Sequence, residues 1–495
     1  MPISLSRAGL SGIGGKVAVP KYAADDLRPG IVHIGVGNFH RAHQAAYLSE
    51  LFDQGQDLDW AIIGAGIRET DTEMRRDLLA QDLLTTVVAQ EAASSEARVI
   101  APMVDFVAPG DTVALLDALA DARTRIVSLT VTEGGYYVDP ATQAFDDHHP
   151  EIVADAAGRL AKPKTAFGLV AAALLRRRAA EIAPFTVMSC DNIPGNGHVT
   201  ENAIAGLVDL VDPVAAKWIR ENVAFPNGMV DRITPATSDR ERRVLQECFG
   251  ISDRRPVFCE GFRQWVLEDR FPAGRPHLEA VGVEFVPNVA PYELMKIRIL
   301  NGGHAAIAYP AGLLGIHFVH EAMEDRQIAR FLSVLHDREI IPLVPPVPRT
   351  DLGAYKRRIE ERFANPKIGD TIRRLCLDGS NRQPKFILPS VRDAIERGAP
   401  LEGLALVSAF WCRYCYGETE DGQRIAPNDP DWQRLVENSR AAKADPNAWL
   451  SMGDIYGELA RNSRFRDAFR TALVAIWRDG TRAALDRYIA GSACS

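Results

Sequence analysis

The chain has 495 residues, of which 46% are hydrophobic and 25% charged, with a formal net charge of -8 and seven cysteines. That length is too great for one core, so two or three domains are expected, and the acidic balance argues against general nucleic-acid binding. No apolar run approaches the roughly 20 residues of a membrane helix, the N-terminus lacks signal-peptide character, and seven scattered cysteines suit a reducing cytoplasm better than a disulfide scaffold.

After an irregular lead-in, PGIVHIGVGN reads as a short buried strand ending in a glycine turn. HRAHQAAYLSELFDQG follows with helical spacing, then DWAIIGAG as a second apolar strand. Further strand-like runs occur at LLTTVVAQ, RIVSLTVTEGG and PFTVMSCDN, separated by helical segments such as DTVALLDALADA and AFGLVAAALLRRRAAEI. Such alternation predicts a mostly parallel sheet covered on both faces. The character changes at VEFVPNVAPYELMKIRILN, beyond which the patterns are mainly helical. The expected architecture is therefore α/β: a Rossmann-type domain over 1–286 and a mainly α-helical domain over 287–495. In folds of this kind ligands commonly lie between domains.

Gly35-Val36-Gly37-Asn38-Phe39-His40 sits between the first strand and the first helix. Glycines there let backbone approach a pyrophosphate, and helix N-terminal amides favour its charge. The third glycine of the usual fingerprint is replaced by His40, and a bare strand-to-helix turn has the same pattern. Arg41 is a candidate phosphate contact. After the second strand, Glu69 and Asp71 are candidates for the ribose hydroxyls, which would favour NAD over NADP; Arg68 beside them could instead serve a phosphate.

The segment Tyr292 to His304 places Lys296, Asn301 and His304 in an otherwise apolar helical pattern. In α-helical register Asn301 and His304 are neighbours, and Lys296 lies just over two turns before His304. A buried lysine has its charged form disfavoured, as a general base for an alcohol proton requires. A snorkelling lysine and a core histidine would give the same pattern. A second polar island, Ser189 to Gly197, follows a strand and contains Asn192, whose amide could donate to a developing alkoxide; a plain Asp/Asn/Pro/Gly turn is the alternative. The His148–His149 pair and Cys412/Cys415 have the residue types of metal ligands but read as a solvated loop and packed thiols.

Taken in order, GVGNFHRAHQ, TVTEGGYY, FTVMSCDNIPGNGH, FPNGMVDRITP, FRQWVLEDRF, YELMKIRILNGGHA and RRLCLDGSNRQPKFILPSVRD resemble the polyol-specific long-chain dehydrogenases over nearly the whole chain. The resemblance implies metal-independent, NAD-dependent hydride transfer between a polyol and its ketose, D-mannitol and D-fructose being the favoured pair. It implies Lys296 as general base, Asn192 and Asn301 as the paired donors to the substrate oxygen, and His304 as a support for lysine and substrate. Glu293 would pass the proton to solvent. Asp231, Arg374 and Lys385 fall at substrate-binding positions, and Gly35, Gly37, Phe39, Arg41, Glu69 and Glu133 at cofactor-binding ones. Gly135 stands where many relatives carry lysine. The implied partners are a small polyol or ketose, with neither nucleic acid nor membrane, and a monomer is compatible with the pattern. Fructuronate or tagaturonate reductases and arabinitol or sorbitol dehydrogenases share these motifs. A non-catalytic nucleotide sensor is a more distant alternative.

Overall fold

The computed structural model describes residues 2–138 and 144–491, and the chain divides into two compact units, Met1–Ala290 and Pro291–Ser495.

The first unit is built on five parallel strands: β1 (Pro29–Ile34), β2 (Ala61–Ala65), β3 (Met103–Val107), β4 (Ile126–Leu129) and β5 (Thr186–Ser189). Their order across the sheet is β3-β2-β1-β4-β5. The chain therefore reverses its direction of travel between β1 and β4, and the carboxyl ends of those two strands are where an open α/β sheet receives a ligand. The strands are short and almost wholly buried because helices cover both faces. Those helices include α1 (Asn38–Ala42) and α2 (Gln44–Asp53) after β1, α3 (Asp71–Leu79) after β2, α4 (Thr112–Ala120) after β3, α5 (Ala166–Ala179) before β5, and α6 (Asn196–Asp209) after it. Side chains begin two of them: Asp111 accepts from the Ala114 N–H for α4, and Thr165 from the Gly168 N–H for α5.

Two expectations need refining. HRAHQAAYLSELFDQG is not one helix, because His43 (φ -118°, ψ -94°) breaks α1 from α2. LLTTVVAQ does contain a strand, Thr85–Gln90, but outside the parallel core. It pairs antiparallel with Ser95–Ile100 and parallel with Val257–Glu260 in a separate four-stranded sheet. A three-stranded sheet of Gly228–Asp231, Gln264–Glu268 and Glu284–Val286 and a two-stranded pairing of Ile3–Ser4 with Ile251–Ser252 are the unit's other sheets. Strand-like composition identifies a strand; one of its partners is the adjacent hairpin strand, but the other lies more than a hundred residues away.

The second unit is helical. A short helix, Ala290–Met295, runs into a π-helical turn, Lys296–Asn301, and then into α7 (Gly302–Leu313). Next come α8 (Arg326–Leu335), α9 (Leu352–Phe363), α10 (Glu402–Tyr414) and the long α11 (Ser463–Gly491), which is bent at Gly480. α7 and α10 are buried on nearly every face, as expected of helices that are apolar all round, and they pack against each other. Close approach is possible because Gly312 has no side chain: a Cβ there would lie 2.9 Å from the Tyr414 ring. Among the described residues no helix is long and apolar enough to cross a membrane.

Candidate active site

On the first unit, the glycine turn leaves β1 at the switch point. Gly35 has φ +102°, and a Cβ there would come within 2.1 Å of the Thr130 carbonyl oxygen. This glycine is demanded by the protein's own backbone. Gly37 differs: a Cβ there would meet nothing nearer than the Gly35 carbonyl at 3.9 Å, and Gly37 caps α1 without a side-chain hydrogen bond. Its bareness leaves the helix N-terminus open to a close-lying group, which fits a dinucleotide pyrophosphate. Behind the turn, His33 contacts Ser128 Oγ at 2.8 Å and Thr130 Oγ1 at 3.0 Å, and Thr130 Oγ1 donates to the Gly35 carbonyl at 2.5 Å. Burial lowers the pKa of His33 and of His43 to about 3, and drives that of His40 well below the ordinary value, so this layer is neutral.

Phe39 is half-buried and stacked on His43, with ring centroids 4.8 Å apart. Arg41 is only 1% exposed, and its guanidinium donates to the Gly37 carbonyl, the Arg255 carbonyl and Asn38 Oδ1. The structure thus commits Arg41 to protein acceptors beneath the turn instead of presenting it to a phosphate. Glu69 is exposed just before α3. Asp71, its rival for the ribose, uses Oδ2 to accept from the Ile67 and Arg68 amides at 3.0 Å each. Arg68 reaches across to the Val131 carbonyl at 3.4 Å. The side chain of Glu133 lies outside those described.

Asp191, the neighbour of Asn192, carries no distinguishing mark in the sequence, yet it organises the loops after β4 and β5. Its carboxylate accepts from the Val131 amide (2.9 Å), the Thr132 amide (3.1 Å) and the Tyr136 hydroxyl (2.7 Å). Thr132 is held at φ +67°, ψ 161°, a region that non-glycine residues avoid. The polar island at 189–197 contained the signal, since a carboxylate at a strand's carboxyl end needs donors. Asn192 itself is exposed in this loop, and Asp231 is buried at the end of its strand, opposite Gln264.

On the second unit, the expectation of a regular α-helix through Lys296 is overturned, and usefully. Residues Lys296–Asn301 form a π-turn in which the Gly302 N–H bonds back to the Ile297 carbonyl, five residues earlier. In an α-helix, positions five apart stand about 140° apart around the axis and positions eight apart about 80°. A π-turn absorbs one extra residue, so Lys296 and Asn301 behave as an i,i+4 pair, and Lys296 and His304 as an i,i+7 pair, each partner within about 40° of Lys296 around the axis. The three side chains share a face because the helix is locally wide.

Lys296 is buried, at 6% exposure, and so is His304, at 5%. Asn301 is half-buried, and its Oδ1 is buried without a hydrogen-bond partner. A buried amide oxygen left unpaired costs about 1–3 kcal/mol, the sort of strain that marks functional sites. His304 stacks on Phe363 at 4.0 Å, and its pKa is driven well below the usual value, first by burial and then by Arg374, Arg382 and Arg362. Arg374 is itself oriented by a two-pronged ion pair with Asp370, one turn earlier. Lys385 is exposed on the helix Gly379–Phe386, and Glu293 is half-buried one turn before Lys296. Phe363 and Arg362 were missed because EERFANP contains nothing but an amphipathic helix end.

Among the described residues no group of three or more His, Cys, Asp or Glu side chains could hold a metal ion. His148 lies 3.4 Å from Asp147, and His149 caps the helix Pro150–Ala157 by accepting from the Glu151 amide. Cys412 and Cys415 are free, buried thiols.

The strand order, glycine turn and polar loops define a Rossmann-type nucleotide-binding unit followed by a helical unit carrying a buried lysine, asparagine and histidine. Comparison with known proteins sharpens that class. The mannitol dehydrogenase Rossmann domain matches residues 29–280, and the mannitol dehydrogenase C-terminal domain matches residues 288–477. The mannitol 2-dehydrogenase of Cereibacter sphaeroides is 58% identical over 475 residues, covering 96% of this chain and 99% of that protein. The structure of Pseudomonas fluorescens mannitol 2-dehydrogenase in ternary complex with NAD and D-mannitol superposes with a TM-score of 0.88 at 41% identity, covering 99% of this chain and 100% of that one. A substrate-free D-sorbitol dehydrogenase superposes with a TM-score of 0.89 at 35% identity, over 97% and 100%. The chain belongs to the mannitol dehydrogenase family.

Proposed function

We propose that this protein catalyses the reversible, NAD-dependent oxidation of D-mannitol to D-fructose, as a mannitol 2-dehydrogenase. The observation that carries this reading is identity of 58% to a mannitol 2-dehydrogenase across 96% of the chain, which takes in both units. Bound NAD would supply the hydride acceptor. Gly37 and the α1 N-terminus would hold its pyrophosphate, with Gly35 and Phe39 shaping the turn and Arg41 bracing it from inside. Glu69 would accept from the ribose hydroxyls and so disfavour a 2′-phosphate, and Glu133 would complete the cofactor contacts.

Lys296 takes the proton from the substrate's secondary hydroxyl, and in the reverse direction returns it to the carbonyl oxygen. Asn192 and Asn301 donate amide hydrogen bonds to that oxygen as negative charge gathers, each contributing on the order of 3 kcal/mol to the transition state. Neutral His304 orients hydroxyls and packs the lysine. Asp231, Arg374 and Lys385 bind the rest of the polyol, and Glu293 carries the proton onward to water. No metal takes part, and the enzyme acts in the cytoplasm.

A second reading is favoured by the three arginines around His304, whose charge would suit the carboxylate of a keto-sugar acid such as fructuronate. A substrate panel separates the two. Mannitol with NAD should give the highest kcat/KM among mannitol, sorbitol and arabinitol, and fructose should outrun fructuronate as a sink for NADH. Faster turnover of fructuronate would overturn the mannitol reading. Exhaustive chelation should leave turnover unchanged, whereas a loss restored by zinc would contradict the metal-free mechanism.

A further inference from the structure

The π-turn that aligns Lys296, Asn301 and His304 is an irregular piece of backbone in a buried place. A turn closed five residues back takes carbonyls out of the regular i→i+4 ladder, and a buried carbonyl must find a donor elsewhere. At the centre of this turn the Ile299 carbonyl shares the Gly302 N–H with Ile297 and takes a second donor from His336, whose Nε2 lies 3.0 Å away. A carbonyl oxygen only accepts, so Nε2 carries the proton and donates. His336 is 0% exposed and opens a second π-turn, His336–Ile340, which packs against the first. Its approach depends on Gly303: a Cβ there would stand 3.0 Å from His336 Nε2 and 3.2 Å from Cε1.

We propose that His336 is a positioning residue for the reaction, its imidazole N–H holding the wide turn in the register that sets Asn301 beside Lys296. The inference rests on the reading of Lys296 and Asn301 as the groups acting on the substrate oxygen. Other anchors hold the outside of the same turn. Arg298 donates to the Leu343 carbonyl at 2.6 Å and pairs with Asp393. They grip a side chain, whereas His336 donates into the turn's own backbone. Burial lowers the His336 pKa to about 4, so the ring stays neutral, with Nδ1 bare and without a partner. That matches a group kept for one donated bond.

The test uses the full-length enzyme with mannitol and saturating NAD. His336→Phe keeps a ring of similar size but removes the donor. It should lower kcat by about 30- to 100-fold, the scale of a small misplacement of reacting groups, with KM for mannitol and NADH affinity by fluorescence titration nearly unchanged. The solvent deuterium isotope effect on kcat should rise as proton transfer becomes limiting. His336→Gln places an amide N–H near the Nε2 position and should restore most of the loss. Gly303→Ala, which leaves His336 in the chain but crowds it off the carbonyl, should lower kcat in the same direction.

If His336→Phe fails to fold, His336→Asn replaces it, since its shorter amide stops short of Ile299. Retention of kcat within threefold of the parent by the donor-less variant, or a His336→Gln enzyme as impaired as that variant, overturns the proposal. A parent enzyme inactive on mannitol sinks the substrate reading instead. The proposal is then decided by a crystal structure of the variant: persistence of the Gly302-to-Ile297 bond defeats it, and reversion to α-helical register supports it.

Discussion

The glycine turn of the first unit and the lysine segment of the second solve the same problem, placing polar groups accurately, by opposite means. At the turn the backbone does the placing. Gly35 is forced by a carbonyl 2.1 Å from where its Cβ would be, and the neutral layer of His33, Thr130 and Ser128 fixes that carbonyl's surroundings. In the lysine segment the polar groups are side chains, and the backbone is widened where they meet. A strand-to-helix glycine turn is a local motif with a local signature. A π-turn is the product of packing, and its cost is met by residues such as His336 and Arg298 that lie far along the chain.

The sharpest way to break the comparison is at Lys296. Lys296→Ala should reduce mannitol turnover by about 10³-fold, within the range for loss of general acid–base catalysis, while NADH still binds with nearly parental affinity. Turnover within a few-fold of the parent would remove the lysine from the mechanism. Asn301→Ala should come next, at about 10²-fold in kcat, the usual loss for one donor to a developing oxyanion. If its effect fell on KM alone, Asn301 would be a binding group, and the alignment by the wide turn would have no catalytic purpose.

The two glycines allow a finer cut. Gly35→Ala should destabilise the first unit by roughly 3 kcal/mol, because it combines a strained φ with a backbone clash. Gly37→Ala should leave the melting temperature almost unmoved and weaken NADH binding by about tenfold, because its methyl group would intrude on the place for pyrophosphate. Equal effects at both positions would mean that the distinction between a glycine required by the fold and one required by the ligand is wrong.

How much of this was legible beforehand follows the same division. The α/β class, the succession of strands, the glycine turn and the helical second half could all be read from periodicity and spacing, since each is a short-range property. The polar residues of 292–304 were legible as a group, but their geometry was not. Regular α-helical counting leaves Asn301 about 140° from Lys296, and no residue in YELMKIRILNGGHA signals the extra residue in the turn except, in hindsight, Gly303, which admits His336. Arg41 shows the opposite failure. An arginine after a glycine turn suggests phosphate, yet three protein acceptors hold it inside. Asp191 stands in the polar island of the sequence without a distinguishing mark, because its role depends on the amides of Val131 and Thr132, some 60 residues earlier.

The smallest effect concerns acid. Buried His33, His40 and His43 in the first unit, and His304 and His336 in the second, all have pKa values lowered by burial, to about 3 for His33 and His43 and about 4 for His336. Each is neutral when folded and takes up a proton more readily when unfolded, near pH 6.5. The stability they contribute is therefore fully present above pH 6.5 and drains away as pH falls toward the folded-state values. Between pH 7 and pH 5, before most carboxylates titrate, the melting temperature should drop by several degrees. The first unit carries three such rings against two and should be the more acid-labile, so calorimetry at pH 5 should show its transition moving further than that of the second. A melting temperature flat across this range would mean that water reaches the layer beneath the glycine turn, and the contrast between a turn fixed from behind and a helix distorted by its neighbours would lose its first half.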